Sequence, residues 1–131
     1  MRRQRDPTMS ANELDVLGVL WQRGPATLGE VSDALAGRHA YTTVQTMLDR
    51  LVKNGLVSRD RRARPARHAA KVTRARVLSR YLGLVLERVT DGPAPLVMQL
   101  LREQQFTPDE LVEIRRLIER AEHDQAESEQ E

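Results

Sequence analysis

The chain has 131 residues, 40% of them hydrophobic but only 3% aromatic, so its length fits one domain or a small domain with an appendage. No apolar run approaches the roughly 18 residues that a membrane span needs. The first eight residues also lack the apolar stretch of a signal peptide, so we expect a cytoplasmic protein. The absence of cysteine excludes disulfides, thiolate metal sites and cysteine nucleophiles.

The net charge of +2 is divided unevenly along the chain. Residues 1–80 contain 16 Lys and Arg against 7 Asp and Glu, a net charge of +9. Residues 81–131 contain 5 against 12, a net charge of −7. This asymmetry predicts different partners for the two halves, because a basic surface suits a polyanion and an acidic amphipathic segment suits another protein chain.

Helix starts are marked by the capping-box pattern. A hydroxyl accepts a hydrogen bond from the first turn, and a glutamate three residues later reaches back to the cap. The pattern occurs at Ser10 and Glu13, Thr27 and Glu30, and Thr107 and Glu110. We predict helices over 11–22, 28–36, 42–54, 74–90, 94–104 and 108–122, a short strand over 25–27 and a hairpin over 56–72.

Three helices followed by a hairpin predict a mainly α protein with a small β-wing. Residues 9–73 are expected to form a winged helix-turn-helix DNA-binding domain, in which the third helix enters the major groove. Residues 74–122 are expected to form a helical dimerisation region. Residues 123–131 lack large apolar side chains and are expected to form a disordered acidic tail.

The third predicted helix has two chemically different sides. Val44, Met47, Leu48 and Leu51 recur at helical spacing, and polar residues fill the other side. Threonine and glutamine can read base edges, whereas basic groups near the C-terminal end suit phosphate. The predicted DNA contacts on this helix are Thr42, Thr43, Gln45, Thr46, Arg50 and Lys53. The carboxylate of Asp49 repels DNA, so we expect it to orient an arginine instead. The alternative interpretation of the whole helix is an ordinary amphipathic helix with a polar exterior.

The predicted hairpin is strongly basic. Residues 59–76 contain eight Lys and Arg side chains and one acid, Asp60. Arg61, Arg62 and Arg64 at the tip are expected to contact the DNA backbone or an adjacent minor groove, which supplies affinity rather than sequence preference. The alternative is a charged loop that only aids solubility.

The C-terminal helices are too short to bury a self-sufficient core, so we expect them to pair with a second copy of the chain. Apolar side chains at coiled-coil-like spacing predict a homodimer. The predicted contacts are Leu82, Val85, Leu111, Ile114, Leu117 and Ile118. The alternative is a monomer whose helices fold back on the first domain.

Catalytic and cofactor motifs are absent from the sequence. His39, His68 and His123 are scattered and are interpreted as surface or loop residues, so no metal or cofactor is expected. No nucleotide-binding glycine motif or G-x-S-x-G turn occurs, and we expect no enzyme. Two alternatives to a repressor remain: a ligand-responsive winged-helix regulator with an effector pocket between the dimerisation helices, and a winged-helix protein-interaction adaptor.

Three segments resemble the BlaI/MecI family of bacterial penicillinase and methicillin-resistance repressors. They read "ELDVLGVLWQRGPATLGEVSDAL", "AYTTVQTMLDRLVKNGLVSRD" and "TPDELVEIRRLIERAE". The resemblance implies a winged-helix homodimer that binds a dyad operator upstream of β-lactam-resistance or related genes. It also implies base contacts from Thr43, Gln45 and Thr46, with Thr42 and Arg50 beside them.

The resemblance further implies how repression ends. In the best-known family members, a membrane metalloprotease sensor triggers cleavage within the dimerisation region. The matching segment here is "LVMQLLRE", and the counterpart of the scissile bond is Gln99–Leu100. A sensor-linked protease is therefore an expected partner, in addition to double-stranded DNA and a second copy of the chain.

Overall fold

The computed structural model of the chain describes residues 9–130 and contains six α-helices and three short β-strands in that range. The elements in chain order are α1 (Ala11–Arg23), β1 (Ala26–Thr27), α2 (Leu28–Ala34), α3 (Tyr41–Lys53), β2 (Val57–Asp60), β3 (Arg67–Ala70), α4 (Arg74–Arg88), α5 (Pro93–Glu103) and α6 (Pro108–Glu129). The predicted elements are all present. The largest difference is at the C-terminus, where α6 continues through the segment predicted to be disordered as far as Glu129. Glu131, the last residue of that tail, lies outside the described residues.

The chain divides into an N-terminal unit, which ends at Tyr81, and a C-terminal unit, which begins at Leu82. The N-terminal unit is a winged helix: α1, α2 and α3 pack together, and the strands form an antiparallel sheet in the order β1-β3-β2. Its core consists of aliphatic side chains. Val16, Leu17, Val31, Val44 and Leu51 are each 0% exposed, so α3 is fixed by one fully buried face.

The N-terminal unit extends beyond the predicted boundary at residue 73 into α4. Val77 is buried in the same core, and the Tyr81 hydroxyl donates a hydrogen bond of 2.8 Å to the carbonyl of Met9. Trp21 on α1 similarly donates its indole N–H to the carbonyl of Val72 at 2.8 Å. These contacts attach the first turns of α4 to the winged helix, which a boundary based on element type alone does not anticipate.

Two of the three predicted capping boxes form completely, at Thr27 with Glu30 and at Thr107 with Glu110. The hydrogen bonds from the Thr27 backbone and side chain hold the pKa of Glu30 below its ordinary value. The third prediction is only half correct. The Ser10 hydroxyl accepts from the Glu13 N–H, but the Glu13 carboxylate does not return to the backbone of Ser10, because it is buried and contacts the Ser10 hydroxyl and Arg50 instead.

The C-terminal unit consists of the end of α4 with α5 and α6. No residue from 82 to 130 is buried, although these helices carry many leucine, isoleucine and valine side chains. Pro93 and Pro108 occupy first-turn positions of their helices, where a missing N–H has no cost. Within residues 9–130, no helix is long and apolar enough to cross a membrane.

Candidate nucleic-acid interface

Helix α3 is held by one face and presents the other to solvent. Val44, Met47, Leu48 and Leu51 are buried. Every predicted DNA-contacting residue of this helix lies outside the core on the solvent side. We call this set of residues the recognition face: Thr42, Thr43, Gln45, Thr46, Arg50 and Lys53. The helix ends before Gly55, whose φ of 78° lies in the left-handed region that glycine adopts without strain and directs the chain into β2.

The recognition face is rich in short polar groups. The Thr46 hydroxyl donates to the carbonyl of Thr42 at 3.0 Å. Because a hydroxyl has only one proton, this arrangement leaves Thr46 with acceptor lone pairs and a methyl group for an external partner. Such a side chain suits an exocyclic amine of adenine or cytosine, or the methyl group of thymine.

Arg50 is fixed by a carboxylate from another helix. Its Nη1 lies 3.3 Å from Oε1 of Glu13 on α1, and the two side chains are 60% and 3% exposed. The other carboxylate oxygen of Glu13 has no hydrogen-bond partner among the described residues. Arg50 therefore satisfies a buried charge with one edge of its guanidinium group, and its exposed N–H groups remain available to a phosphate.

The wing is formed by β2 and β3, which pair in a register that places Val57 opposite Ala70 and Asp60 opposite Arg67. Residues 61–66 connect the strands and are the wing tip. Arg61, Arg62 and Arg64 all lie in this connection. Asp60 accepts a hydrogen bond from the Arg62 backbone N–H at 2.9 Å, which orders the turn while the Arg62 side chain stays 96% exposed.

Arg59 and Arg74, two of the basic side chains in the hairpin region, contact elements outside the hairpin. Arg74 lies over the ring of Trp21, 5.4 Å from its centroid. Arg59 forms an ion pair with Asp49 of α3, and its side chain is only 20% exposed. Asp49 therefore orients an arginine, as expected for a carboxylate on this face, and most of the Arg59 side chain is covered.

The recognition face and the wing tip line one common groove, and the recognition face also borders a second groove. Gln45 and Arg61 border one groove of about 550 Å³, together with Tyr41 at the start of α3. A second groove of about 360 Å³ joins Thr43 and Arg50 to Asn12 on α1. Tyr41 and Asn12 are thus parts of this surface that helical spacing within α3 did not identify, because one precedes the polar run and the other belongs to another helix.

His68 is a buried residue, contrary to its interpretation as a surface or loop histidine. It is 3% exposed. Its Nδ1 lies 3.2 Å from the carbonyl of Ala26, and its Nε2 lies 3.0 Å from Nε of Arg59. Because the carbonyl can only accept and Arg59 can only donate, the imidazole is neutral with its proton on Nδ1. Burial lowers the pKa of His68 below its ordinary value, and the Arg59 charge acts in the same direction.

This lowered pKa predicts a pH-dependent stability. Below about pH 6.5 the unfolded chain takes up a proton at His68 that the folded chain does not bind, so the free energy of unfolding falls as the pH is lowered. One proton limits the slope to about 1.4 kcal/mol per pH unit. We expect thermal melts from pH 7.5 to 5 to show this loss, and His68→Gln to lack that component. An identical pH dependence in both proteins would contradict the assignment.

The residues predicted to form the dimer lie on α4 and α6. Leu82, Leu111, Leu117 and Ile118 are exposed by 37%, 41%, 64% and 48%, and Val85 and Ile114 are partly covered. We call these six residues the dimer seam. Gln99 and Leu100, the predicted cleavage position, are exposed within α5. Val97, Met98, Leu101 and Val112 are further exposed apolar residues of these helices.

The described residues contain no group of three or more histidine or acidic side chains arranged to hold a metal ion. His39 contacts Asp15 at 2.9 Å and His123 contacts Glu127 at 3.3 Å, so each of these histidines has a carboxylate partner. The side chains that the structure brings together on α3 and the wing are hydrogen-bonding and cationic groups suited to a polyanion.

The sequence matches known proteins over most of its length. The sequence profile of the family described as "Penicillinase repressor" matches residues 9–120. The penicillinase repressor of Bacillus licheniformis is 25% identical over 116 residues, which cover 86% of this chain and 91% of that protein.

Two solved structures are also similar to the chain, each at 21% identity and each covered over 78% of its length. One is a MarR family protein from Bacillus stearothermophilus, with 92% of this chain covered and a TM-score of 0.49. The other is BpsR of Bordetella bronchiseptica, whose DNA binding is regulated by 6-hydroxynicotinic acid. In that comparison 91% of this chain is covered, and the TM-score is 0.45.

The family match covers more than half of the chain and coincides with the winged helix and the helices that follow it. The family is one of repressors, not of enzymes. The chain therefore belongs to the penicillinase repressor family and is a DNA-binding transcriptional repressor.

Proposed function

We propose that the protein represses transcription as a homodimer bound to an inverted-repeat operator. The observation that carries this proposal is the contrast between the two units: the N-terminal unit has a packed core and an exposed polar face on α3, whereas residues 82–130 bury no side chain within one chain. Helices with this much exposed leucine, isoleucine and valine are stabilised when a second copy covers them.

Two-fold pairing through the dimer seam explains the operator geometry. A symmetric pair uses the same seam residues in both subunits. Its two recognition helices then enter successive major grooves, about 34 Å apart, which requires two half-sites in inverted orientation. Repression follows because the bound dimer excludes polymerase from the promoter.

Specific roles follow from the positions of the side chains. We assign base contacts to Thr43, Gln45 and Thr46, because they are exposed in the first turns of α3. Thr42, Arg50 and Lys53 lie beside them and contact the backbone. The wing-tip arginines contact phosphates or the adjacent minor groove, and they supply affinity for any DNA sequence.

Control of a β-lactam-resistance or related gene is part of the proposal, supported by the family name and by the relative in Bacillus licheniformis.

We also propose that a sensor-linked protease ends repression by cutting at Gln99–Leu100. A protease binds an extended segment, so α5 must unwind first. Because α5 contains no buried residue, local unwinding costs little. A repressor of this kind acts in the cytoplasm.

Footprinting on the DNA upstream of the protein's own gene tests the proposal. We expect protection of two inverted half-sites with centres about 10 base pairs apart, or a multiple of that spacing. The same preparation should sediment as a dimer. Protection of a single half-site, or uniform binding to unrelated DNA, would contradict the operator assignment.

The cleavage proposal has a separate test. In cells that carry the gene, exposure to a β-lactam should produce a fragment that ends at Gln99, detectable by mass spectrometry when the promoter becomes active. Derepression with an intact chain would show that proteolysis at this bond is not the signal.

A further inference from the structure

A continuous polar chain links the wing to α3 inside the N-terminal unit. It runs from the carbonyl of Ala26 in β1 to His68 in β3, then to Arg59 in β2 and finally to Asp49 in α3. Four elements are thereby joined by three consecutive contacts, of which the one between His68 and Ala26 spans 42 residues of sequence. The central members are well covered, since His68 is 3% exposed and the Arg59 side chain is 20% exposed.

Each donor group in this row of hydrogen bonds faces one acceptor group. His68 donates from Nδ1 to the carbonyl, and its Nε2 accepts from Nε of Arg59. Arg59 then uses a second guanidinium N–H to contact the Asp49 carboxylate. Because the guanidinium is planar and its N–H directions are fixed, simultaneous contacts to an imidazole and a carboxylate determine the orientation of the arginine.

Asp49 lies where an uncompensated carboxylate weakens DNA binding. It is on α3 one helical turn after Gln45, so the two side chains lie on the same side of the helix. Both line the groove that Arg61 also borders. A carboxylate here repels phosphate, and an exposed ion pair contributes little to stability by itself. A carboxylate at this position is therefore better explained by the arginine that it holds than by a contribution to folding alone.

We propose that Asp49, Arg59 and His68 are positioning residues that hold the wing against α3 in the arrangement that lets Gln45 and Arg61 contact the same DNA. This inference rests on the proposed operator binding. Arg59 acts within the protein, in contrast to Arg62, whose side chain is 96% exposed. The three residues do not contact DNA in this assignment; they fix the distance between the parts that do.

The substitution Asp49→Ala should change DNA affinity in opposite directions, depending on whether Asp49 is only a surface carboxylate or positions the wing. Removal of a negative charge from a DNA-facing surface should tighten DNA binding if Asp49 is only a surface carboxylate. If Asp49 positions the wing, the variant should bind the operator roughly tenfold more weakly, the size expected for losing a hydrogen bond between charged groups. Alanine also favours the helix, so the fold of α3 is retained. Circular dichroism melts would confirm that all proteins are folded at the binding temperature.

Three further proteins make the result specific. Asp49→Glu restores a carboxylate and should recover most of the affinity. Asp60→Ala is the matched control, because the Asp60 side chain is 57% exposed, as is that of Asp49. The Asp60 side chain contacts Arg62 within the wing rather than α3, so this variant should not weaken binding tenfold. In an Arg59→Met background, Asp49→Ala should cause no further loss, because the partner is already absent.

The outcomes separate the inference from the proposed function. Wild-type protein without preference for the operator would overturn the proposed function and this inference with it. Wild-type protein that binds the operator, with an Asp49→Ala variant that binds equally or more tightly, would overturn the inference alone. An equal loss from Asp49→Ala with and without Arg59 would also overturn it.

Discussion

Substitution of Leu117 by aspartate should convert the dimer to monomers and reduce operator affinity by about 10²–10⁴-fold, the range by which linking two binding modules raises affinity. Leu117 is 64% exposed in the single chain, so the change removes little packing within the subunit. In the proposed dimer it places a carboxylate in an apolar contact, where an unpaired charge is unfavourable. Ile114→Asp should act in the same direction.

Sedimentation velocity and operator titration on the same samples measure this effect. Arg116→Asp is the matched control, since it introduces the same residue one position away and outside the dimer seam. This control removes only an exposed ion pair with Glu113, which contributes at most about 1 kcal/mol. An unchanged sedimentation profile for Leu117→Asp would show that the seam is assigned to the wrong side of α6.

Raising the salt concentration from 50 to 200 mM should weaken operator binding by about 10³–10⁵-fold, as expected for roughly 6–10 phosphate contacts. The wing tip should supply part of this dependence, because Arg61, Arg62 and Arg64 lie there. Replacing all three by glutamine should reduce the slope of log affinity against log salt by about 0.9 for each phosphate that is no longer neutralised. Binding to unrelated DNA should weaken in parallel.

A charge-matched variant separates contact from net charge. Replacing Arg102, Arg115 and Arg120, which belong to the C-terminal unit and not to the wing, by glutamine removes the same number of charges. We expect its salt slope to equal that of the wild type. If both triple variants lowered the slope equally, the wing tip would act only through the overall charge of the protein.

Much of the fold was predictable because helix and strand signals are local. The apolar spacing of α3 and the glycine after it placed the helix within one residue of its observed limits. The capping sequence at Thr107 located the start of α6 for the same reason. The end of α6 was not predicted, since its last turns lack apolar spacing and form a helix made almost entirely of charged and polar residues.

The polar contacts of the interface could not be derived from local patterns. Glu13 and Arg50 are 37 residues apart, and Glu13 matches a capping box so well that its burial and its contact with α3 were not anticipated. His68 was interpreted as a surface or loop residue because a single histidine carries no periodic signal. Its contacts with Ala26 and Arg59 arise from the strand order, which places β3 between β1 and β2. Pairing of distant segments, rather than residue type, determined these details.

The proposed function requires that the exposed side of α3 reads the DNA sequence. The direct test compares the affinities of wild type, Gln45→Ala and Arg62→Ala for the operator and for unrelated DNA at one salt concentration. We expect Gln45→Ala to lose about 1–3 kcal/mol of binding free energy on the operator alone, whereas Arg62→Ala should weaken binding to both DNAs alike. A Gln45→Ala variant that keeps the wild-type ratio between the two affinities would contradict it.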